Sequence, residues 1–281
     1  MGREDNIRVF QDTEKQCKEN PLLRESIVKS IHNQKMIAEK EKFADIDKMI
    51  YQTPADIVIS IKRSLEAAAA YPINKVCVHN FASATNPGGG VTKGSNAQEE
   101  CLCRCSSLYF CLNTKQMWEQ FYTPHRMMRD PIHNDDIIYT PSVTIFKSDT
   151  AFPVLMPEED WYKVNVITCA APNLRVQPSN AFNTGDGDTS AKVTDKELLA
   201  IHEKRLRRVL DVALMNGNEV VILGAFGCGA FANNPEVVAK AAKNVIQEYR
   251  HAFVTIEFAI YCSAWNVDNY RIFNRVLEDR S

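Results

Sequence analysis

The stretch KVCVHNFASATNPGGGVTKGSNAQEE, residues 75–100, decides the fold. It opens with a compact apolar run suited to a buried strand, crosses a loop with three consecutive glycines, and enters a helix beginning at Gln98, Glu99 and Glu100. This order puts a loop at the carboxyl end of a strand, where α/β sheets bind ligands. Glycine costs backbone entropy on folding, so a run of three implies that something approaches the main chain closely. The N–H groups of Gly88, Gly89 and Gly90 are candidates for holding phosphate or sugar oxygens, with a tight strand-to-helix turn as the plainer alternative. Two capping-box spacings precede the helix, Ser95 with Gln98 and Asn96 with Glu99.

A second unit of the same kind lies downstream in VVILGAFGCGAFANNPEVV, where a strand runs into Gly224, Gly227 and Gly229 and Pro235 opens a helix. Gly227, Gly229 and Ala232 also satisfy the GxGxxA form of a dinucleotide fingerprint. A dinucleotide fold needs several strands after its fingerprint, and only FVTIEFAIYC follows, so a nicotinamide dehydrogenase is the weaker alternative. Further strands are expected in DDIIYT, VTIFK and KVNVITCAA. Helices are expected in PADIVISIKRSLEAAAAY, NAQEECLCRCSSLYFCL, KELLAIHEKRLRRVLDVALMNG, PEVVAKAAKNVIQEYR and the end of the chain. The alternation indicates an α/β sandwich. Residues 1–50 read as helix throughout, an N-terminal helical extension before a catalytic domain at 51–281. The polar segment PNLRVQPSNAFNTGDGDTSAKVTD reads as a mobile loop, and MWEQFYTPHRMMRDPIHN as a lid or a surface excursion.

With 281 residues, 45% of them hydrophobic, the chain can bury a full core, and a formal net charge of -2 argues against a broad nucleic-acid-binding surface. No membrane span or signal-type segment is evident, so the expected location is intracellular, cytoplasmic or nuclear. Nine cysteines include Cys101, Cys103, Cys105 and Cys111. Helical residues two apart point to nearly opposite sides, so these read as free buried thiols rather than a metal cluster. The histidines His79, His125, His133, His202 and His251 show no ligand spacing. No metal and no cofactor is expected.

Glu99 and Glu100 point about 100° apart on a helix, so they are expected to have separate jobs rather than to face one atom. Complementing the helix dipole is the plain reading of acids in a first turn. Beside a glycine loop that takes phosphate, a carboxylate would instead have its pKa raised by desolvation and like charge, as a general acid needs.

NFASATNPGGG followed by seven residues and QEE, with GAFGCGAFANNP downstream, resembles the signature of poly(ADP-ribose) glycohydrolases of the compact microbial type. YTPSVTIFK and VNVITCAAPNLR are similar to that family too, so the resemblance covers about residues 50–275. It implies a three-layer α/β/α macrodomain with a mixed central sheet. The implied activity is hydrolysis of ribose–ribose O-glycosidic bonds from polymer ends, releasing ADP-ribose.

By the same resemblance Glu100 takes the catalytic place, while Glu99 and Asn86 hold the terminal ribose hydroxyls beside Gly88, Gly89 and Gly90, with Gln98 counted among the binding positions. Gly227, Cys228, Gly229 and Ala230 match the diphosphate loop, Phe231 the aromatic that orients the scissile sugar, and Phe226 a commonly aromatic position. Trp265, Asn266 and Tyr270 are suspected adenine contacts, with core packing an equal alternative. The implied partner is poly(ADP-ribose) or an ADP-ribosylated protein, with ADP-ribose as product, no nucleic acid, no membrane, and a monomeric state. Two alternatives stay open: a macrodomain that only reads ADP-ribose, and a mono-ADP-ribosyl hydrolase.

Overall fold

The structure, a computed structural model, describes residues 1–181, 183–262 and 267–278. Its strands are β1 (Lys35–Ile37), β2 (Asp56–Ser60), β3 (Val76–Ala82), β4 (Ile137–Ile145), β5 (Tyr162–Ala170), β6 (Val220–Leu223) and β7 (Thr255–Ala259). They form one seven-stranded sheet in the order β1-β4-β5-β3-β6-β7-β2. The five from β5 to β2 run parallel, β4 lies antiparallel to β5, and β1 antiparallel to β4. This mixed order does not match a doubly wound dinucleotide sheet, which leaves the GxGxxA match without its structural context.

Alternate residues of the central strands enter opposite cores, which is why these strands are apolar throughout. On one face Cys77, Ile167, Cys169, Val221 and Leu223 pack against α8 (Asp195–Met215), α9 (Pro235–Ile246) and α10 (Asp268–Glu278). On the other, Val76, Val78, Val166 and Ile222 meet α3 (Ser64–Ala68), α4 (Gln98–Cys105) and α5 (Leu108–Leu112). The result is three layers, helix on sheet on helix, as expected for a macrodomain. The same alternation sends Asn80 toward α4, whereas its neighbours His79 and Phe81 pack with Phe226 on the other side.

Several sequence expectations are corrected. The helical reading of residues 1–50 holds through α1 (Arg3–Glu19) and α2 (Pro21–Asn33), then gives way to β1 and irregular chain. DIVIS, read as helix, is the edge strand β2. Its register on β7 packs Ile57 and Ile59 against the core, so sheet pairing overrides the helical pattern of the residues that follow. NAQEECLCRCSSLYFCL is two helices, broken where the Ser106 hydroxyl accepts the Leu108 N–H. DDIIYT and VTIFK form one strand, β4, with a bulge between Thr140 and Val143.

MWEQFYTPHRMMRDPIHN is neither lid nor excursion. It contains α6 (Lys115–Met117), a π-helical turn and α7 (Thr123–Met128), with Met117, Phe121 and Tyr122 fully buried. No helix among the described residues is long and apolar enough to cross a membrane.

Arg205 of α8 is buried, and each of its three guanidinium nitrogens is engaged. Its Nε donates to Asp135 at 2.7 Å, and its Nη atoms donate to the carbonyls of Ala170, Ile132 and His133. Removing the guanidinium leaves the buried Asp135 with only Lys204 and three carbonyls without their donor. Arg205→Leu should therefore lower the unfolding free energy by about 3 kcal/mol. Urea unfolding is the measurement, and a loss below about 1 kcal/mol would show that this cluster is not a stabilising hub.

Candidate active site

β3 ends at Ala82, and its continuation folds back so that the start of α4 lies against the loop just traversed. Glu99 and Glu100 are only 2% and 7% exposed. Burying two carboxylates requires donors, and the main chain of the loop supplies them. Glu99 Oε2 accepts the N–H of Ser83 at 2.8 Å, its Oε1 accepts Asn80 Nδ2 at 3.2 Å, and the Gly88 main chain faces the same carboxylate. Glu100 Oε1 accepts the N–H of Gly90 at 2.8 Å, and Oε2 the N–H of Ala97 at 2.9 Å.

The glycines thus serve a different anion from the one expected. The Gly90 N–H goes to the protein's own Glu100 carboxylate, the Gly88 main chain faces Glu99, and the Gly89 N–H goes to the Asn86 carbonyl at 3.0 Å. Neither anticipated capping box forms. Ala97 occupies the cap position, and the Glu100 side chain reaches back to its N–H. Nor do the glutamates diverge as the 100° step suggests. Helical side chains lean toward the N-terminus, and both carboxylates converge on Gly89. A Cβ there would lie 2.5 Å from Glu100 Oε1 and 3.1 Å from Glu99 Oε2, and the residue has φ +57°. Burial, and after it the Glu100 charge, push the Glu99 carboxyl up to about 8, against the hydrogen bonds from Ser83, Asn80 and Gly88. Among the described residues the Asn80 amide oxygen has no partner, so a turn of that amide would offer a protonated Glu99 an acceptor.

Across a cavity of about 670 Å³ stands the second glycine loop. Gly227, Gly229, Ala230 and Phe231 line it beside Glu99 and Glu100. Among the described residues no acceptor takes the N–H groups of Gly229, Ala230 or Phe231. A Cβ on Gly229 would meet nothing within 4 Å, whereas one on Gly227 (φ +77°) would strike Ala171 and Asn233. Here the amides are open to a ligand, the arrangement expected of an anion cradle.

Of the sequence-predicted positions, the cavity brings together Glu99, Glu100, Gly89, Gly90, Gln98, Gly227, Gly229, Ala230 and Phe231. Gln98 is already committed, accepting the Phe81 N–H and donating to the His79 carbonyl and the Ser64 hydroxyl, so its amide ties α4 to β3. Asn86 does not line the cavity; its amide bonds Arg126, the Thr184 carbonyl and Thr85. Gly88 is buried below the surface, Phe226 packs between His79, Phe81 and His202, and the Cys228 thiol points back to the Phe226 carbonyl. Tyr270 packs against the core from α10, and Trp265 and Asn266 lie outside the described residues.

Sequence reasoning missed three contributions. Arg63, whose guanidinium lies 3.8 Å from the Tyr261 ring centroid, and Arg175, bonded to the Ala230 carbonyl, line the cavity; Arg63 sits in no motif, and Arg175 closes the family-like VNVITCAAPNLR without being singled out there. Arg104 is buried and clamps the Ser95 carbonyl and the Asn96 amide oxygen, fixing the loop before α4. The segment read as a mobile loop is anchored instead. Asp186 accepts from Asn173 and Asn183 at 2.7 Å each and pairs with His133, and the Asn183 amide oxygen accepts the Ser83 hydroxyl at 2.7 Å. A buried polar chain therefore runs from that segment to the residue whose N–H holds Glu99. Its Asn and Asp composition could signal this only once their burial was known. Among the described residues no three His, Cys, Asp or Glu side chains are grouped to hold a metal ion.

An α/β chain with a buried carboxylate pair facing an open amide cradle is the architecture of an enzyme acting on a phosphorylated glycoside. The model of the microbial-type PARG (poly(ADP-ribose) glycohydrolase) catalytic domain matches residues 5–148, a span that includes most of α1 and all of α2 and β1. Poly(ADP-ribose) glycohydrolase from Thermomonospora curvata superposes with a TM-score of 0.82 at 26% identity, over 97% of this chain and 99% of that one. The same enzyme bound to the inhibitor ADP-HPD gives 0.78 at the same identity and coverage. The Deinococcus radiodurans enzyme in complex with ADP-ribose gives 0.75 at 26% identity, over 91% of this chain and 98% of that one. No curated protein sequence matches. The chain belongs to the microbial-type poly(ADP-ribose) glycohydrolase family and is a glycoside hydrolase acting on poly(ADP-ribose).

Two outcomes test this geometry. Gly89→Ala places a methyl against both carboxylates at a strained φ, so it should abolish most turnover while the protein stays folded. Near-normal activity would remove the close approach from the account. Glu99 holds its proton more tightly folded than unfolded. From the ordinary carboxyl value up to about 8 the native state keeps the extra proton, and stability falls as pH rises. Glu99→Gln mimics the protonated form, so its Tm relative to wild type should climb by several degrees between about pH 5 and about pH 9. A pH-independent difference would show that Glu99 ionises normally.

Proposed function

We propose that the cavity holds the terminal ADP-ribose unit of the polymer, with its diphosphate on the N–H groups of Gly229, Ala230 and Phe231 and its distal ribose against Glu99 and Glu100. The observation carrying this reading is that both carboxylates and the open amides line one cavity, of a size that suits a single nucleotide-like ligand. Binding one unit at a time favours release from polymer ends. The base end falls to the wall of Ile260, Tyr261 and Asn269.

Hydrolysis of the ribose–ribose bond passes through an oxocarbenium-like state, so a proton must reach the leaving oxygen as positive charge grows on the sugar. Glu100 donates that proton and then, as carboxylate, activates the attacking water on the freed sugar carbon. Its grip on the Gly90 and Ala97 N–H groups fixes it through both steps. Glu99 accepts the ribose hydroxyls, with Ser83 and Asn80 setting its orientation. The negative diphosphate on the second loop adds electrostatic stabilisation of the cation. Phe231 packs against the scissile sugar. Nine unpaired cysteines, six of them buried, fit an intracellular, reducing setting.

The test uses labelled polymer and two variants. Wild type should release ADP-ribose from the earliest times rather than intermediate-length oligomers. Glu100→Gln should lose turnover by roughly 100-fold or more while calorimetry shows ADP-ribose affinity near wild type. Above about pH 8, where the Glu99 carboxyl is ionised, Glu99→Gln should weaken both affinity and rate, because an amide is a poorer acceptor for sugar hydroxyls than a carboxylate. Full turnover by Glu100→Gln, or identical behaviour of the two variants, would overturn the roles assigned to these glutamates.

A further inference from the structure

The active cavity is poorly suited to capturing its substrate from a distance. Glu99, Glu100 and Asp149 line it against Arg63 and Arg175, and the chain as a whole carries a formal net charge of -2. Poly(ADP-ribose) carries a diphosphate in every unit, so neither charge balance draws it in.

At the opposite end of the sheet, where β3 and β5 begin, lies a second cavity of about 620 Å³. Lys29 of α2, Lys35 of β1, Lys75 just before β3 and Lys163 of β5 line it, and no Asp or Glu does. All four lysines are exposed. Lys35 and Lys75 converge on one neutral residue, Asn216, donating to its side-chain oxygen and its carbonyl respectively. Glu25 pairs with Lys29 at 2.6 Å, and Glu219 accepts the main-chain N–H of Lys75. Among the described residues Lys35, Lys75 and Lys163 make no side-chain ion pair. Four lysines stand against two neighbouring carboxylates, Glu25, which also lies in the field of Lys163, and Glu219, and the positive excess that remains is one a polyanion would relieve.

We propose that this lysine groove is a second docking site for poly(ADP-ribose), holding diphosphates of a distant part of the polymer whose end occupies the catalytic cavity. The proposal rests on that cavity holding the terminal ADP-ribose unit. The nine residues of β5 alone separate the two sites by about 30 Å. One ADP-ribose unit cannot bridge them, whereas a long polymer engaged at its end presents many further diphosphates to the groove at high effective concentration. A nucleic acid would have the groove alone, and so the enzyme's own substrate is the favoured occupant.

The triple variant Lys35→Glu, Lys75→Glu, Lys163→Glu tests this with residues remote from the catalytic machinery. KM and kcat are measured on long polymer and on a two-unit oligomer, at low and at physiological salt. The KM for long polymer should rise about tenfold at low salt and approach wild type as salt increases. The kcat, and all constants on the oligomer, should not change. The corresponding triple alanine variant should give a smaller rise in the same direction. An unchanged KM on long polymer, or an equal loss on the oligomer, overturns the second site. Single-stranded RNA that binds the wild type through these lysines and is not displaced by long polymer overturns it too. Failure of the wild type to cleave the oligomer would instead strike the reading of the catalytic cavity, so the two ideas fail separately.

Discussion

Burying Glu99 and Glu100 side by side against Gly89 is unfavourable in itself, and the fold around them is arranged to offset that cost. Desolvation and mutual repulsion oppose two neighbouring carboxylates. Main-chain N–H groups from Ser83, Gly88, Gly90 and Ala97 face them, along with the Asn80 amide. That requirement explains the triple glycine. A side chain at residue 89 would occupy the space into which both carboxylates point. It also explains why the loop is braced from outside, by Arg104 below and by Asn183 and Asp186 from a segment nearly a hundred residues later in the chain. The desolvation and repulsion that remain keep a proton on Glu99 near neutrality, which lessens the charge facing the diphosphate cradle.

The two glycine loops look alike as sequence and do opposite things. In the first, N–H groups are consumed by protein acceptors. In the second, those of Gly229, Ala230 and Phe231 remain available. One loop therefore positions reactive groups and the other receives a ligand, and the cavity between them is where a phosphate-bearing sugar meets a proton donor. Charge is distributed in the same divided way. The catalytic cavity balances acids against arginines, while four lysines, three of them without an ion-pair partner among the described residues, gather at the far end of the sheet. An enzyme that must hold a polyanion beside carboxylates has reason to separate capture from chemistry.

The sequence by itself determined the strand-loop-helix units, the alternation of apolar strands with amphipathic helices, and the family to which the GGG and QEE letters point. These are local patterns, fixed by backbone conformation and side-chain periodicity, and they are legible without knowing what lies across from them. It also located the pair of glutamates and the second loop. Tertiary structure alone decided the rest. Pairing with β7 made a strand of residues 56–60 that propensity reads as helix, and the edge of β4 did the same for residues 35–37. Contact with α4 turned the glycine amides inward, and packing removed Asn86 and Phe226 from the cavity while adding Arg63 and Arg175. Each of these depends on which group stands opposite, a partner distant in the chain. A hydrogen bond or a buried charge has no meaning until its partner is placed, and only the folded chain places it.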